Sequence, residues 1–182
     1  MSGRLLVVGA GQAGVQVASS ARELGWDGPI TLIGHEPHAP YARPPLSKAF
    51  LKGEASLESL ALRSAAFYAE QQIDLVLDEQ IARLDLTGGG EGTAVSASGR
   101  RRPFDRLVLA TGAQPRPLPI EGADLDGVLM LRDARDAQVL AGRLATVTDL
   151  VVIGGGFVGL EAAATAPRQA CGRRCSRWRL RC

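Results

Sequence analysis

Short apolar segments rich in β-branched residues alternate in this chain with segments whose apolar residues recur at helical spacing. Leu5–Val8 and Ile30–Ile33 are predicted to be buried strands, and residues 13–24 between them a helix that ends at Gly25. A strand–helix–strand unit of this kind is typical of a sheet whose strands run parallel. The pattern therefore predicts an α/β fold.

The segments that follow predict further helices and a second group of strands. Prolines at positions 40, 44 and 45 are expected to exclude regular structure before residue 46. Helices, two of them capped by Ser64 and Asp133, are predicted over residues 46–51, 64–71, 133–144 and from 157 onward. Strands are predicted over residues 73–77, 80–86, 93–97, 106–110 (buried) and 150–153. We expect a doubly wound, Rossmann-like parallel sheet, a β-meander near residues 73–97, and the start of a second βα unit.

Two glycine-rich segments are the strongest sign of function in the chain. Each follows an apolar run and fits the pattern G-x-G-x-x-G, with the glycines Gly9, Gly11 and Gly14, and then Gly154, Gly156 and Gly159. The first glycine permits a tight turn, the second lets the backbone approach a pyrophosphate, and the third lets the helix pack closely on the strand. The helix N-terminus adds free N–H groups and a partial positive charge. Two such segments in order indicate that two dinucleotides are brought together for electron transfer.

The two segments differ in their context. Glu36 lies near the offset of about 20 residues after the first segment at which an acidic side chain accepts the ribose hydroxyls of a dinucleotide. After the second segment, Pro167 is expected to end the helix, and no second strand follows. Either segment could instead be an ordinary glycine-rich turn of an α/β domain, and that alternative is stronger for the second.

Composition and charge exclude several classes of partner. The content of 46% hydrophobic and 22% charged residues is typical of a soluble globular protein. No apolar run approaches the ~20 residues of a membrane span, and residues 5–8 are too short for the core of a signal peptide. Residues 1–167 hold 15 basic and 19 acidic groups, a net charge of −4, which argues against binding to nucleic acid. We expect a cytoplasmic protein with neither a membrane nor a nucleic-acid partner.

The last residues of the chain have a different character. Residues 168–182 contain six arginines and no acidic residue, and they hold all three cysteines, Cys171, Cys175 and Cys182. We predict no metal site, because no four-ligand set exists and neither histidine is near. A basic tail that binds nucleic acid or membrane is an alternative to the interpretation that we prefer. We interpret residues 167–182 as an irregular Arg/Cys-rich tail read in a shifted frame of a GC-rich gene.

The segment Pro40-Tyr41-Ala42-Arg43-Pro44-Pro45-Leu46-Ser47-Lys48 resembles the FAD-containing, NAD(P)H-dependent ferredoxin, putidaredoxin and rubredoxin reductases that supply oxygenases and cytochromes P450. Residues 107–116 and 152–161 are also similar to this family, and the resemblance extends over about residues 4–166. It implies the first part of an FAD-binding domain at residues 1–145 and a truncated start of an NAD(P)-binding domain at 146–166. It also implies FAD as cofactor, NAD(P)H as electron donor, and an iron–sulfur protein of the ferredoxin or rubredoxin type as acceptor.

The resemblance implies roles for particular residues. Ala13 would lie at the pyrophosphate turn, and Ile81 would contact the adenine end through its backbone. The residues implied at or near the flavin are Arg43, Lys48, Ala110, Thr111, Gly112 and Arg132. Lys48 and Glu161 would form an ion pair near the reactive nitrogen of the flavin, where a lysine stabilises the negative charge that a hydride brings to the ring. Each residue also has an ordinary structural alternative. Lys48 could be a surface lysine at a helix end, and Glu161 a carboxylate on a helix surface. Arg43 and Arg132 could be solvated surface charges.

One departure from this family, and the absence of the cysteine pair that disulfide reductases of the wider superfamily carry, bear on the ribose ligand and the electron acceptor. Many relatives carry an acid where this chain has His35, so we expect Glu36 to be the ribose ligand and His35 to be a surface residue. Residues 1–170 contain no cysteine, so no internal dithiol can accept electrons, which must leave for an external acceptor. The choice between NADH and NADPH and the identity of the acceptor stay open. The alternative function is an inactive remnant that binds a nucleotide weakly.

Overall fold

The computed structural model describes residues 3–165, which divide into two compact units. The first comprises residues 3–42 and 61–113, and the second residues 43–60 and 114–165. The predictions made for Pro167 and for the tail with its three cysteines lie outside the described residues. No helix within residues 3–165 is both long enough and apolar enough to cross a bilayer.

The first unit contains a parallel sheet and an antiparallel sheet. The parallel sheet has the strand order β3-β2-β1-β7, with β1 at Leu5–Val8, β2 at Ile30–Ile33, β3 at Ile73–Val76 and β7 at Arg106–Leu109. The antiparallel sheet is a meander of β4 at Ile81–Gly88, β5 at Glu91–Ser96 and β6 at Arg101–Phe104. Helix α1 spans Gln12–Glu23, and helix α2 spans Ala65–Glu70. The predicted α/β fold with a parallel sheet and a meander is confirmed.

The alternating side chains of β1 explain how the layers pack. Leu5 and Val7 lie in a buried cluster with Val15 and Ala18 of α1. Leu6 and Val8 point to the opposite face and pack in a second buried cluster with Ala94 and Phe104 of the meander. Because successive strand side chains point to opposite faces, an entirely apolar strand indicates burial on both faces. In this part of the chain, the meander covers the second face of the parallel sheet. Many doubly wound folds cover that face with a second layer of helices.

The structure corrects three details of the predicted strands. Ile73–Val76 belongs to the parallel sheet as the neighbour of β2, not to the meander. Strand β6 was not predicted, because its charged residues and Pro103 hide the strand pattern, although an edge strand tolerates proline. Strand β7 was predicted to be buried but is an edge strand, and Leu109 is 60% exposed.

The second unit contains helix α3 at Ala134–Leu144 and helix α4 at Phe157–Thr165. Asp133 caps α3 as predicted, and its side chain forms a reciprocal capping box with Asp136. Instead of the predicted helix over 46–51, a 3₁₀ helix spans Pro44–Ser47, since proline is tolerated in the first turn. The predicted strand at residues 150–153 does not form, because no strand of the described chain pairs with it.

Candidate nucleotide-binding site and lysine–glutamate pair

The turn between β1 and α1 requires glycine at two positions for steric reasons. Gly9 has φ +112°, and a Cβ atom there would lie 2.1 Å from the carbonyl oxygen of Ala110. A Cβ atom at Gly14 would lie 1.9 Å from the carbonyl oxygen of Gly9. Both distances are far shorter than van der Waals contact, so these glycines allow the turn and the close approach of helix to strand.

Gly11 differs from its two neighbours because space is open around it. Its backbone is extended, with φ −93° and ψ −169°, and a Cβ atom there would meet nothing within 4 Å. It is the N-cap residue of α1, and no side chain caps the helix. Gln12 and Ala13 in the first turn are exposed, and this turn contains no acidic residue. An open backbone surface before an uncapped helix N-terminus fits a pyrophosphate.

The segment after β2 lies against this turn. The Gly9 N–H donates to the Ile33 carbonyl oxygen at 2.8 Å, and a Cβ atom at Gly34 would lie 2.8 Å from the Cβ of Ala10. Two residues further along, Glu36 is half-buried and its Oε2 accepts a hydrogen bond of 2.6 Å from the Tyr41 hydroxyl. His35 is exposed, as predicted. The carboxyl ends of the neighbouring parallel strands β1 and β2 therefore carry the glycine turn and Glu36 at one sheet edge.

The residues after β7 reach the same edge of the sheet. The Ala110 N–H donates to the Val8 carbonyl oxygen at 2.7 Å, and a Cβ atom at Gly9 would lie 2.9 Å from the Thr111 nitrogen. Gly112 follows with φ +70°. Ile81 is half-buried at the start of β4 and packs on the core cluster shared with the meander. The adenine contact predicted for Ile81 and the FAD contacts predicted for residues 110–112 stay predictions.

A buried carboxylate near this edge was not predicted from the sequence. Glu79 is 4% exposed, and its side chain accepts hydrogen bonds from Arg102 at 2.9 Å and from Arg100 at 3.5 Å. The hydrogen bond from Arg102 lowers the pKa of Glu79 below its usual value, against the effect of burial. Its backbone N–H donates to the Gly34 carbonyl oxygen at 3.0 Å. Glu79 thus fixes the segment after β3 against the segment that leads to Glu36.

The second unit contains the predicted ion pair. Lys48 Nζ lies 3.0 Å from Glu161 Oε1, and Lys48 remains half-exposed. The other oxygen, Glu161 Oε2, accepts a hydrogen bond of 2.5 Å from the hydroxyl of Ser47, which is buried. The hydrogen bond from Ser47, then that from Lys48, lowers the pKa of Glu161. Glu161 is therefore ionised at neutral pH and holds the lysine in one place. The sequence did not indicate the role of Ser47.

The same unit brings together the two predicted arginines. A guanidinium nitrogen of Arg43 donates to the carbonyl oxygen of Arg132 at 2.9 Å. The Arg132 N–H in turn donates to Asp136 at 2.7 Å, so the capping box of α3 fixes the backbone at this point. Arg132 is exposed, which leaves its charge available at the surface. The cofactor contacts of both arginines stay predictions.

The second glycine segment lacks the close packing of the first. Gly154 has φ +105°, and neither it nor Gly156 has an atom within 4 Å of an added Cβ. A Cβ atom at Gly159 would lie 3.0 Å from Val152 Cγ1 and 3.2 Å from the Gly154 carbonyl oxygen. The turn and helix are present, but the preceding strand is absent from the described residues. The pyrophosphate site of NAD(P)H predicted here stays a prediction.

Comparison with known proteins places these features in context. The profile of the pyridine nucleotide-disulphide oxidoreductase family matches residues 3–175. The rhodocoxin reductase of Rhodococcus erythropolis is 43% identical over 169 residues, which are 91% of this chain and 38% of that protein. The putidaredoxin reductase of Pseudomonas putida is 42% identical over 165 residues, covering 89% of this chain and 38% of that protein.

Solved structures agree with these sequence matches. The ferredoxin reductase of the CYP199A2 system from Rhodopseudomonas palustris has a TM-score of 0.83 and 44% identity, covering 90% of this chain and 39% of that one. The putidaredoxin reductase in a covalent complex with putidaredoxin has a TM-score of 0.80 and 42% identity, covering 90% and 39%. The chain therefore spans about two fifths of the length of the relatives that it matches. The resemblance predicted from residues 40–48 is confirmed.

Proposed function

We propose, on the premise that the chain belongs to the pyridine nucleotide-disulphide oxidoreductase family, that it forms the FAD-binding part of an NAD(P)H-dependent ferredoxin-type reductase. The observation that carries the proposal is the turn after β1. Gly9 and Gly14 have no room for a side chain, whereas Gly11 faces open space at an uncapped helix N-terminus. That distribution fits a site where the backbone approaches a pyrophosphate.

The residues of the first unit would hold the adenosine diphosphate half of FAD. Gly11 and Ala13 would face the pyrophosphate, and Glu36 would accept the hydroxyls of the adenosine ribose. Ile81 would contact the adenine end, and the backbone at residues 110–112 would pass beside the cofactor. These groups surround the carboxyl ends of parallel strands, which is where open α/β sheets bind ligands.

The ion pair of the second unit would serve the redox chemistry. When bound, FAD accepts a hydride equivalent from reduced nicotinamide and releases electrons one at a time to an acceptor. Lys48 would stabilise negative charge on the ring, because an oriented ammonium group lowers the energy of an anion beside it. Glu161, held by Ser47, fixes the direction of that ammonium group. Arg43 and Arg132 would add positive charge for the cofactor phosphates or ring.

An iron–sulfur protein is the acceptor that we propose. The relative solved with a partner is putidaredoxin reductase joined to putidaredoxin. Residues 1–170 of this chain contain no cysteine, so a dithiol on this part of the chain cannot accept the electrons. The nucleotide donor would bind at Gly154, Gly156 and Gly159, with no choice made between NADH and NADPH. A cytoplasmic location follows from the proposal, because reduced nicotinamide nucleotides are maintained there.

A second candidate function is a remnant that binds a nucleotide without catalysis. Residues 150–153 form no strand, and Val151, Ile153 and Phe157 are 77%, 62% and 86% exposed. Apolar side chains of a βα unit are normally covered by neighbouring strands and helices. This observation favours a half-built nicotinamide site within the described residues.

Binding measurements on the purified 182-residue chain test the proposal. We expect FAD to bind with quenching of its fluorescence and a resolved visible spectrum, and ADP to displace it. FMN lacks the adenosine half and is expected to bind at least tenfold more weakly, a difference of about 1.4 kcal/mol. Equal binding of FMN and FAD, or the absence of FAD binding at millimolar concentration, would overturn the assignment.

A further inference from the structure

Tyr41 is held firmly next to the candidate ribose ligand. It is 5% exposed, and its hydroxyl donates to Glu36 Oε2 at 2.6 Å. Its backbone forms an isolated antiparallel bridge with Ala61, and the Leu62 N–H donates to the Pro40 carbonyl oxygen at 2.8 Å. Because the ring is buried and its backbone is fixed on a neighbouring segment, the Tyr41 hydroxyl is held in one position.

Glu36 is also fixed through its backbone, at a point five residues before Tyr41. Its carbonyl oxygen accepts a hydrogen bond from the Asp78 N–H at 3.1 Å. The contact with Tyr41 restrains the far end of this side chain, which has three rotatable bonds. Glutamate loses considerable rotamer freedom when it is ordered, and a residue that orders it in advance removes that cost from ligand binding.

We propose that Tyr41 is the positioning residue of the ribose site: its hydroxyl occupies Oε2 of Glu36 and directs Oε1 toward the ribose hydroxyls of the dinucleotide. This inference rests on the proposed function. The chemistry is consistent, because an ionised carboxylate offers about four lone-pair positions and one phenol donor uses one of them.

Removal of the hydroxyl in Tyr41→Phe tests the inference without changing the ring. We expect calorimetry on the 182-residue chain to show that this variant binds ADP about tenfold more weakly than the unmodified chain, the effect of one charge-assisted hydrogen bond. The decisive comparison uses 2′-deoxy-ADP and 3′-deoxy-ADP. The unmodified chain should prefer ADP to at least one of them, and Tyr41→Phe should reduce that preference to less than about twofold.

The chain contains one other tyrosine, and it provides a matched control. Tyr68 is 4% exposed on α2, and its hydroxyl has no hydrogen-bond partner among the described residues. Tyr68→Phe removes a buried hydroxyl from the same unit, at a distance in sequence from Glu36. We expect it to leave both the affinity for ADP and the preference over the deoxynucleotides unchanged. Thermal melts of both variants report any change in folding.

The possible results separate the inference from the proposal beneath it. If the unmodified chain does not bind ADP, both the proposed function and the proposed ribose site are overturned. If it binds ADP and Tyr41→Phe keeps the full preference over the deoxynucleotides, the role of Tyr41 alone is overturned. If Tyr41→Phe unfolds, Glu36→Gln replaces it, and discrimination that survives in Glu36→Gln overturns the inference equally. If Tyr41 had a purely structural role, Tyr41→Phe would lower the affinity for all three nucleotides by the same factor. That result would also contradict the inference.

Discussion

The three glycines of the first turn allow nucleotide binding to be separated from folding by single alanine substitutions. Gly11→Ala adds a methyl group where no atom lies within 4 Å, on an extended backbone that any residue adopts. Gly9→Ala adds it at φ +112° and 2.1 Å from a carbonyl oxygen. Gly14→Ala adds it 1.9 Å from a carbonyl oxygen. The first change should therefore affect the ligand, and the other two the fold.

The magnitudes follow from these distances. At Gly11 the poorer capping by alanine costs about 1 kcal/mol, and the smaller entropy of the unfolded chain returns about 0.4–1 kcal/mol. The net change in the free energy of unfolding should therefore be below about 1 kcal/mol. At Gly9 the backbone strain costs about 1–3 kcal/mol, and overpacking costs a further ~1–3 kcal/mol. That sum is a large part of the ~5–15 kcal/mol that stabilises a typical domain.

Two measurements on each variant decide the matter. Thermal melts should show a Tm lowered by roughly 5–20 °C in Gly9→Ala, since ~1 kcal/mol corresponds to about 2–4 °C in a chain of this size. The Tm of Gly14→Ala should fall by roughly 2–12 °C, because only the overpacking cost of ~1–3 kcal/mol applies to it. Calorimetry should show Gly11→Ala with a normal Tm but at least tenfold weaker binding of ADP, about 1.4 kcal/mol. Gly11→Val should abolish binding, because its larger side chain fills the space that the pyrophosphate needs.

Gly142 provides the matched control for this series. It lies on α3 in the other unit, and a Cβ atom there also meets nothing within 4 Å. Gly142→Ala is expected to raise the stability by roughly 0.5–1 kcal/mol, as in any helix interior, with unchanged affinity for ADP. Normal ADP affinity in both Gly11→Ala and Gly11→Val would refute the reasoning, because the open space would then not be the ligand site.

Three further results are expected. The chain supplied with FAD, NADH or NADPH and ferricyanide should show only background turnover, because a loosely held nicotinamide forfeits effective molarity; robust turnover that disappears in Lys48→Ala would contradict this. Hydrogen bonds from Arg4 lower the pKa of Asp105 to about 2, so the stability that this pair adds is complete above about pH 4 and falls as the pH approaches 2. Asp105→Asn should therefore flatten the acid part of a plot of Tm against pH, and an unchanged curve would exclude the pair as its cause. Glu79→Gln should lower the free energy of unfolding in urea by about 1–3 kcal/mol, since Arg102 then faces a neutral amide; a change below about 0.5 kcal/mol would show that the pair adds no stability.

Features determined by local sequence were predictable. Strands β1 and β2 have the predicted bounds, and α1 differs by one residue at each end, because a strand–turn–helix unit carries its own signals. Ser64 accepts a hydrogen bond from the Phe67 N–H, and Asp133 from the Asp136 N–H, as expected of N-cap residues. Each of these interactions joins residues three positions apart. The sequence nearby therefore contains all the information needed to predict them.

Features determined by distant partners were not predictable. The sheet to which residues 73–76 belong depends on which strand they meet, and strand alternation does not identify the neighbour. Residues 150–153 have the composition of a strand but need a partner strand to become one. The contact of Ser47 with Glu161 joins positions 114 residues apart, and no local sequence pattern predicts it. The family resemblance, not the pattern, supplied the pairing of Lys48 with Glu161.

The central place of β1 in its sheet has a consequence for how the chain is made. One side of β1 meets β2 soon after it in sequence, but the other side meets β7, and the Arg4–Asp105 pair beside it joins residues 101 positions apart. At a synthesis rate of about 5–20 residues per second, the open side of β1 waits roughly 5–20 s for its partner. An unpaired apolar strand edge attracts other chains during that time. The order of the strands therefore makes the last pairing of this sheet a slow closure over a long loop, during which β1 is open to association with other chains.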